Sequence, residues 1–305
     1  MHFSVLVALE FEGAADQDLE AALDAALDPL MAPFEESLEV PPYRDHAYED
    51  DWEETYRWAV ECFTDRRPQE CPAGLDLTDR LAVLNAYLHL PVGWDADAGS
   101  FYAVTTDNPL AKWDAWDIGG RYRGMLLARD PADPRVLTFE PDSSMVAGAP
   151  KHLLAIAEQR EWAVAKAARD WDTAHAILRH QEPTRPRTDL LASAGPGHEG
   201  RREALRAYED QPAIRRLAEA GLVPGLVCAV DWFSRPKEEF VATARDQAVP
   251  GYAYLDLNGA WYDRDEVPGH AQDWMAARRE YLRTVAPLID ALPEDAYLVT
   301  VDCHV

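Results

Sequence analysis

One segment of the chain, residues 108–127, concentrates the residue types that could bind an anion. Its sequence, NPLAKWDAWDIGGRYRGMLL, places cationic, aromatic and acidic side chains around a glycine pair. Arginine binds phosphate or carboxylate groups, a tryptophan ring offers a stacking surface, and backbone N–H groups in a glycine turn can hold an anion. The residues predicted to bind such a ligand are Lys112, Trp113, Asp117, Gly119, Gly120, Arg121 and Arg123.

Candidate acid–base residues lie in the same segment and near the C-terminal end. Asp114 follows the Lys-Trp pair, and Asp302 and His304 belong to the last strand-like segment. Carboxylate and imidazole groups often act as general bases. A structural alternative stays open, in which the tryptophans fill the core, the glycines turn the chain and the charges pair at the surface. Lys112 is one of only four lysines, which favours the ligand-binding alternative.

Local patterns predict the elements that must position these residues. Residues 110–118 are predicted to form two helical turns, with the two tryptophans on one face. The glycine pair would end that helix, because glycine tolerates the left-handed conformation of a C-cap. Residues 121–127 are predicted to form a strand, with Arg121 and Arg123 on one side of it.

The same residues carry a resemblance to a group of proteins. The letters NP at 108–109, KWD at 112–114 and GGRYRG at 119–124 resemble a pattern found in uncharacterised phage and actinobacterial proteins. That pattern is roughly N-P-x-x-K-W-D-W-Y-x-x-G-G-R-W-x-G. The ends of the chain, HFSVLV at 2–7 and VTVDCHV at 299–305, are similar to the ends of those proteins. The sequence departs from the pattern at Ala115, Trp116 and Tyr122. The resemblance implies relatedness and a shared site, not a reaction.

Composition predicts a soluble, acidic, cytoplasmic protein. The 305 residues are 48% hydrophobic and 10% aromatic, which is ample for a core. The net charge is −26, and residues 1–60 hold 16 acidic and 2 basic side chains. A nucleic-acid partner is disfavoured, because a phosphate backbone needs a basic face. No apolar run is long enough for a membrane span, the N-terminus does not fit a signal peptide, and the four cysteines fit no zinc or redox spacing.

The order of the predicted elements indicates an α+β fold. Residues 2–9 and 297–305 alternate in the manner of strands, and their similar lengths predict that both terminal strands lie in one sheet. Strands and helices mix without strict alternation, which favours a mainly antiparallel sheet with helices packed on it. A ferredoxin-like order is one arrangement that fits. Residues 1–305 are predicted to form a single domain closed by its terminal strands, with a helical insertion at about 150–220.

Four further segments have clear local patterns. Residues 151–180 are predicted to form a long helix, because small and apolar residues recur at spacings of three and four. Residues 181–200 are rich in Pro, Gly, Ser and Thr, which is typical of an exposed loop. Residues 225–231 are predicted to form a strand. Residues 252–262 are predicted to form a β-hairpin around an Asn-Gly turn.

Two functions from different classes fit the sequence. The motifs GxGxxG after a strand, Walker A, GxSxG and HExxH are absent, which disfavours kinases, dinucleotide-binding enzymes, serine hydrolases and zincins. The first function is the binding or processing of an anionic, nucleotide-like small molecule at the 112–123 motif. The second is non-enzymatic: an acidic phage or mobile-element protein that binds a basic host protein or mimics DNA. No cofactor is assigned, and a metal site would need tertiary convergence of the nine histidines.

Overall fold

Strands and helices are mixed along the part of the chain that the computed structural model describes, which is residues 1–11, 18–181, 183–195, 197–222, 229–267 and 274–305. They form an α+β fold, as the element order predicts. The chain divides into two units, the first of Met1–Asp28 with Trp116–His304 and the second of Pro29–Ala115 with Val305. The single domain over all 305 residues stays a prediction.

The described residues form eleven strands and ten α-helices. The strands are β1 His2–Leu9, β2 Tyr43–Asp45, β3 Val92–Asp95, β4 Ser100–Thr105, β5 Ala115–Ile118, β6 Leu126–Leu127, β7 Met145–Val146, β8 Gly148–Pro150, β9 Ala253–Leu255, β10 Trp261–Asp263 and β11 Tyr297–His304. The helices are α1 Leu19–Met31, α2 Trp52–Glu61, α3 Arg80–Leu88, α4 Ile156–Leu178, α5 Arg187–Ala192, α6 Gly197–Glu209, α7 Pro212–Glu219, α8 Ala229–Phe233, α9 Lys237–Asp246 and α10 Trp274–Ala291.

The terminal strands are neighbours in the largest sheet, whose order is β10-β9-β1-β11-β5 with β8 also paired to β11. β1 and β11 are antiparallel and pair over their full length, from His2 opposite His304 to Leu9 opposite Tyr297. This pairing confirms that both ends of the chain lie in one sheet. β1 and β9 are adjacent and parallel, so the sheet is mixed. In a ferredoxin-like sheet, the two parallel strands of a split βαβ unit have another strand between them. Because β1 and β9 are direct neighbours, the observed order differs from the ferredoxin-like one.

One face of this sheet is covered by α10 and by the short β6–β7 pair. Leu6 and Leu298 from the central strands lie in one buried cluster with Val285 and Ile289 of α10. Leu126 of β6 joins the same cluster. Burial of these side chains stabilises the sheet, because each one removes apolar area from water. The polar residues of β1 and β11 lie on this face, at the end where His2 meets His304.

A second buried cluster lies among helices α4 to α9 in the same unit. α4 confirms the long helix predicted over 151–180, and Ala167 and Ala174 of its predicted apolar stripe are buried there. The loop predicted over 181–200 is wrong, because α5 and the start of α6 lie within it. Leu190 of α5 packs into the cluster, so tertiary burial outweighs a loop-like composition. No helix among the described residues is long and apolar enough to cross a membrane.

The other two local predictions have different outcomes. β9 and β10 confirm the hairpin, with Trp261 opposite Leu255. The loop between the two strands covers residues 256–260 and is longer than a two-residue Asn-Gly turn. The carboxylate of Asp256 stabilises this loop by accepting the N–H groups of Asn258 and Ala260. The strand predicted over 225–231 lies mostly outside the described residues, and its last three positions belong to α8.

The second unit combines α2 and α3 with the antiparallel sheet β2-β4-β3. α2 begins at an N-cap, where the Asp51 carboxylate accepts the N–H groups of Glu53 and Glu54. This cap satisfies backbone donors that a helix start otherwise leaves unpaired. Asn108 ties the end of the unit to an earlier turn, because its amide donates to the carbonyl oxygens of Pro33 and Glu35.

Candidate functional site

Four polar side chains come together at one end of the β1–β11 pair, and we call them the terminal-strand cluster: His2, Ser4, Asp302 and His304. Ser4 is opposite Asp302, and His2 is opposite His304. Directly opposite residues of an antiparallel pair project to the same face, so all four lie on one side of the sheet. The next pair on this face contains buried Leu6, so the cluster borders the apolar core.

An aspartate–histidine pair is the centre of this cluster. Nδ1 of His2 lies 3.0 Å from Oδ1 of Asp302. The Asp302 side chain is 6% exposed and the His2 side chain 33% exposed, so the carboxylate is buried while the imidazole reaches solvent. With the proton assigned to Nδ1, that nitrogen donates to Asp302 and leaves Nε2 as the basic nitrogen. A buried carboxylate holds the imidazole in this way in hydrolases with a catalytic histidine.

The glycine turn of the 108–127 segment closes over the same carboxylate. The backbone N–H of Arg121 donates to Oδ2 of Asp302 at 3.0 Å. Gly119 and Gly120 have φ values of 70° and 43°, a backbone region that favours glycine. A Cβ on Gly120 would lie 2.5 Å from Cβ of Asp302. The described structure therefore shows the turn binding an anion that belongs to the chain itself.

Two further side chains join the turn to the terminal strands. The Thr300 hydroxyl donates to the carbonyl oxygen of Tyr122 at 3.1 Å, and the Gly119 N–H donates to the carbonyl oxygen of Thr300 at 2.8 Å. The Tyr122 hydroxyl donates to the carbonyl oxygen of His2 at 3.3 Å. Burial, and then the Asp302 charge, raise the pKa of Tyr122 above its usual value, so this hydroxyl keeps its proton at neutral pH.

These contacts explain why two local predictions for the segment are wrong. Residues 115–118 form β5, which pairs with β11, instead of the second half of a helix. Residues 120–122 form a 3₁₀ turn, instead of the start of a strand over 121–127. Pairing with β11 and the hydrogen bonds with Asp302 and Thr300 supply partners that the local sequence pattern does not contain.

The two arginines of the motif are both exposed, with different partners. Nε of Arg123 lies 3.6 Å from Oε1 of Glu140, and both side chains are more than half exposed. The Arg121 guanidinium makes no ion pair with any residue in the described part of the chain. Asp117 is also exposed, on β5. Arg121 is therefore the motif cation that a ligand anion could reach without breaking an ion pair.

The remaining predicted residues, Lys112, Trp113 and Asp114, belong to the second unit. The Lys112 N–H donates to the carbonyl oxygen of Phe34 at 2.8 Å, and the Trp113 carbonyl oxygen accepts the N–H of Glu36 at 2.8 Å. The Trp113 side chain is only 6% exposed. Asp114 is exposed. The boundary between the two units falls between Ala115 and Trp116, so these three residues and the glycine turn belong to different units.

His304 lies beside His2, a site residue that the sequence analysis did not predict. Its ring lies 4.9 Å from the His2 ring, and its Nε2 lies 3.4 Å from the amino nitrogen of Met1. His2 was not among the predicted site residues, although equal lengths of the two terminal strands would place it opposite His304. Cys303 lies on the other face, and burial raises the pKa of its thiol, so it stays protonated.

No protein-family model, curated protein sequence or solved structure matches the chain. The resemblance to phage and actinobacterial proteins therefore stays a prediction. Among the described residues, no group of three or more His, Cys, Asp or Glu side chains could hold a metal ion. The cluster and the adjoining turn offer a histidine base, a buried carboxylate that positions it, and an exposed arginine.

Proposed function

We propose that the chain binds a small anionic molecule at the terminal-strand cluster and transfers a proton to or from it. The observation that carries this proposal is the 3.0 Å contact between His2 and the buried Asp302 carboxylate. A histidine can act as a base at neutral pH, and a fixed carboxylate holds the ring in one tautomer and orientation. Nε2 of His2 is the proton acceptor.

Each of the other groups has a distinct part in this proposal. Asp302 is a positioning residue, since its oxygens hold His2 and the Arg121 N–H. The Arg121 guanidinium contacts the ligand anion, because a planar guanidinium matches carboxylate and phosphate oxygens in pairs. His304 extends the polar surface beside His2. Gly120 serves the site by letting the chain pass close to Asp302, and Gly119 by its positive φ in the turn, not by contacting the ligand.

The ligand in this proposal is an anion without a specified nucleobase. Base stacking on Trp113 was the feature that favoured a nucleotide-like molecule, and that side chain is buried. Several classes of small anion are therefore candidate ligands.

Replacing Arg121 with Ala is expected to remove ligand binding while leaving stability unchanged. The exposed side chain has no ion pair with described residues, so the free energy of unfolding should change by less than about 0.5 kcal/mol. The measurement is a thermal-shift screen of the native chain against nucleotides, sugar phosphates and dicarboxylates. A ligand at 100 times its Kd adds about 2.7 kcal/mol, and Arg121→Ala should abolish that gain.

Two matched variants complete the experiment. Arg123→Ala removes another exposed arginine two residues away and should leave binding intact. His2→Gln should keep binding and lower the rate of any turnover of the bound ligand by about 10²–10⁴-fold. The proposal would be contradicted if no anion stabilises the native chain, or if Arg121→Ala responds to the ligand as the native chain does.

A second candidate function has its own observation in the other unit. Residues 29–115 hold 18 acidic and 6 basic side chains. The Arg66 guanidinium lies 4.1 Å from the centre of the Trp58 ring, and Arg44 lies 4.7 Å from that of Tyr102. Trp94 is 52% exposed. An acidic surface with exposed aromatic rings fits a basic, arginine-containing protein partner, because guanidinium groups bind carboxylates and aromatic faces.

A polyarginine peptide should bind the native chain and quench its tryptophan fluorescence if this second function holds. Binding should weaken steeply between low and physiological salt, because exposed charges are screened. Trp94→Ala should weaken it, whereas Trp162→Ala, which removes an exposed tryptophan of α4, should not. Salt-independent binding, or equal loss in both variants, would count against this partner.

A further inference from the structure

A small cavity in the first unit has two arginines in its lining and no carboxylate among the described residues that line it. Its volume is about 230 Å³. Arg264 follows β10 and Arg278 lies on α10, so separate elements bring the two guanidinium groups to one space. The chain has 55 acidic residues against 29 basic ones, so a lining of this kind is opposite to its overall charge. The polar residues around the two arginines are Ser4, Gln247, Tyr252 and Tyr281.

Arg278 is a half-buried cation without a counter-ion among the described residues. Its Nε is buried and has no hydrogen-bond partner there. The other arginines of α10 are paired: Arg279 with Glu239 at 3.6 Å, and Arg283 with Glu280. Burial, and then the charge of Arg264, lower the pKa of Arg278 below its usual value. A charge removed from water is costly unless it is paired, so an anion in the cavity would relieve this cost.

Arg264 is held in place by Tyr252, which lines the cavity, and by Asp265, which does not. Its guanidinium lies 4.5 Å from the centre of the Tyr252 ring, and its Nε lies 3.3 Å from Oδ1 of Asp265. The Tyr252 hydroxyl donates to the other oxygen of Asp265. Asp265 is therefore shared between two groups and does not line the cavity. A guanidinium fixed by stacking loses less entropy when it binds a ligand, which favours a preorganised site.

Ser4 adds a neutral donor to the two cations. Its Oγ accepts the backbone N–H of Tyr252 at 3.1 Å, which leaves the hydroxyl hydrogen without an acceptor among the described residues. Gly251 allows this approach, because a Cβ there would lie 2.6 Å from the Ser4 carbonyl oxygen. A hydroxyl hydrogen and two guanidinium groups can all donate to one set of anionic oxygens.

We infer that this cavity binds a phosphate group, either as free phosphate or as the end of a phosphate monoester. Arg278 has no counter-ion among the described residues, and Arg264 shares its one carboxylate with Tyr252, so the two guanidinium groups leave positive charge for a phosphate group, which carries about −1.5 to −2 as a monoester at neutral pH. The cavity is smaller than the ~300–1,000 Å³ typical of larger ligands, so the phosphate group itself would occupy most of it. The site is separate from the arginine of the glycine turn and does not depend on the proposed function.

Inorganic phosphate should raise the melting temperature of the native chain more than chloride at equal ionic strength. Isothermal titration calorimetry with phosphate should give a Kd at least tenfold higher for Arg278→Gln than for the native chain. Arg279→Gln is the matched control, since it removes the next arginine of the same helix and should bind phosphate as the native chain does. Arg121→Ala should keep phosphate binding at this cavity, which distinguishes the cavity from the proposed anion contact at Arg121, although the cavity shares Ser4 with the terminal-strand cluster.

Several results would overturn the inference. They are a phosphate response no larger than that of chloride, equal affinity in Arg278→Gln, or equal loss in Arg279→Gln. If Arg278→Gln fails to fold, Arg264→Gln and Ser4→Ala replace it, and unchanged phosphate affinity in both would have the same meaning. A phosphate monoester such as glycerol phosphate distinguishes the two sources: tighter binding than phosphate assigns the site to an esterified ligand, and weaker binding assigns it to the free ion.

Discussion

A chain that ends at Ala296 should not fold. This truncation removes β11, which pairs with β1 over eight residues and also with β5 and β8. Leu298, Val299 and Val301 are fully buried. Burial of such side chains contributes about 1.5–3 kcal/mol each, so these three approach the whole stability of ~5–15 kcal/mol that a folded protein has. The loss of the backbone hydrogen bonds on both edges of β11 adds to that.

Circular dichroism during heating and size-exclusion chromatography measure this result. The truncated chain should show no cooperative melting transition and should elute as expanded or aggregated material. A chain that ends at His304 is the control, because it keeps all of β11 and loses only Val305, which is half exposed. A monomer ending at Ala296 that melts cooperatively at the parent temperature would show that the sheet does not need its terminal strand.

Gly120→Ala should destabilise the protein by about 2–5 kcal/mol, for two separate reasons. The first is backbone strain, because the φ of Gly120 is +43°. The second is collision with Asp302, whose Cβ lies 2.5 Å from the position of the new methyl group. Displacement of that carboxylate would leave the Arg121 N–H and the buried oxygens unpaired, which costs about 1–3 kcal/mol.

Comparison with Gly259→Ala separates the cost of the collision with Asp302 from the cost of backbone strain. Gly259 also has a positive φ, of +76°, but a Cβ there would have no neighbour within 4 Å. Only the backbone term applies, so its cost should be about 1–3 kcal/mol lower than that of Gly120→Ala. Urea unfolding compares the two variants. Equal costs would mean that Asp302 moves aside freely, and the carboxylate would then not be held tightly enough to position His2.

The parts of the fold that were predicted correctly rest on local periodicity. The alternation in residues 2–9 and 297–305 identified both terminal strands, and the apolar spacing in 151–180 identified α4. These features depend on residues a few positions apart, so they can be recognised without knowledge of what the element packs against.

The errors fall where a distant partner overrides the local pattern. Residues 115–118 have the spacing of a short helix, yet pairing with β11 makes them a strand. Residues 187–192 have the composition of a loop, yet burial of Leu190 makes them helical. Short segments have small intrinsic preferences, so a few tertiary hydrogen bonds or one buried side chain decide their conformation.

The sequence by itself determined the candidate residues Asp302, His304, Gly120 and Arg121, and the presence of strands at both termini. The tertiary structure alone decided that Asp302 contacts His2 and closes the Arg121 turn, 181 positions earlier in the chain. It also decided that Arg264 and Arg278 share a cavity with Ser4. The reason is physical: periodicity specifies which side of an element a residue occupies, whereas sheet order and register specify which residue it meets.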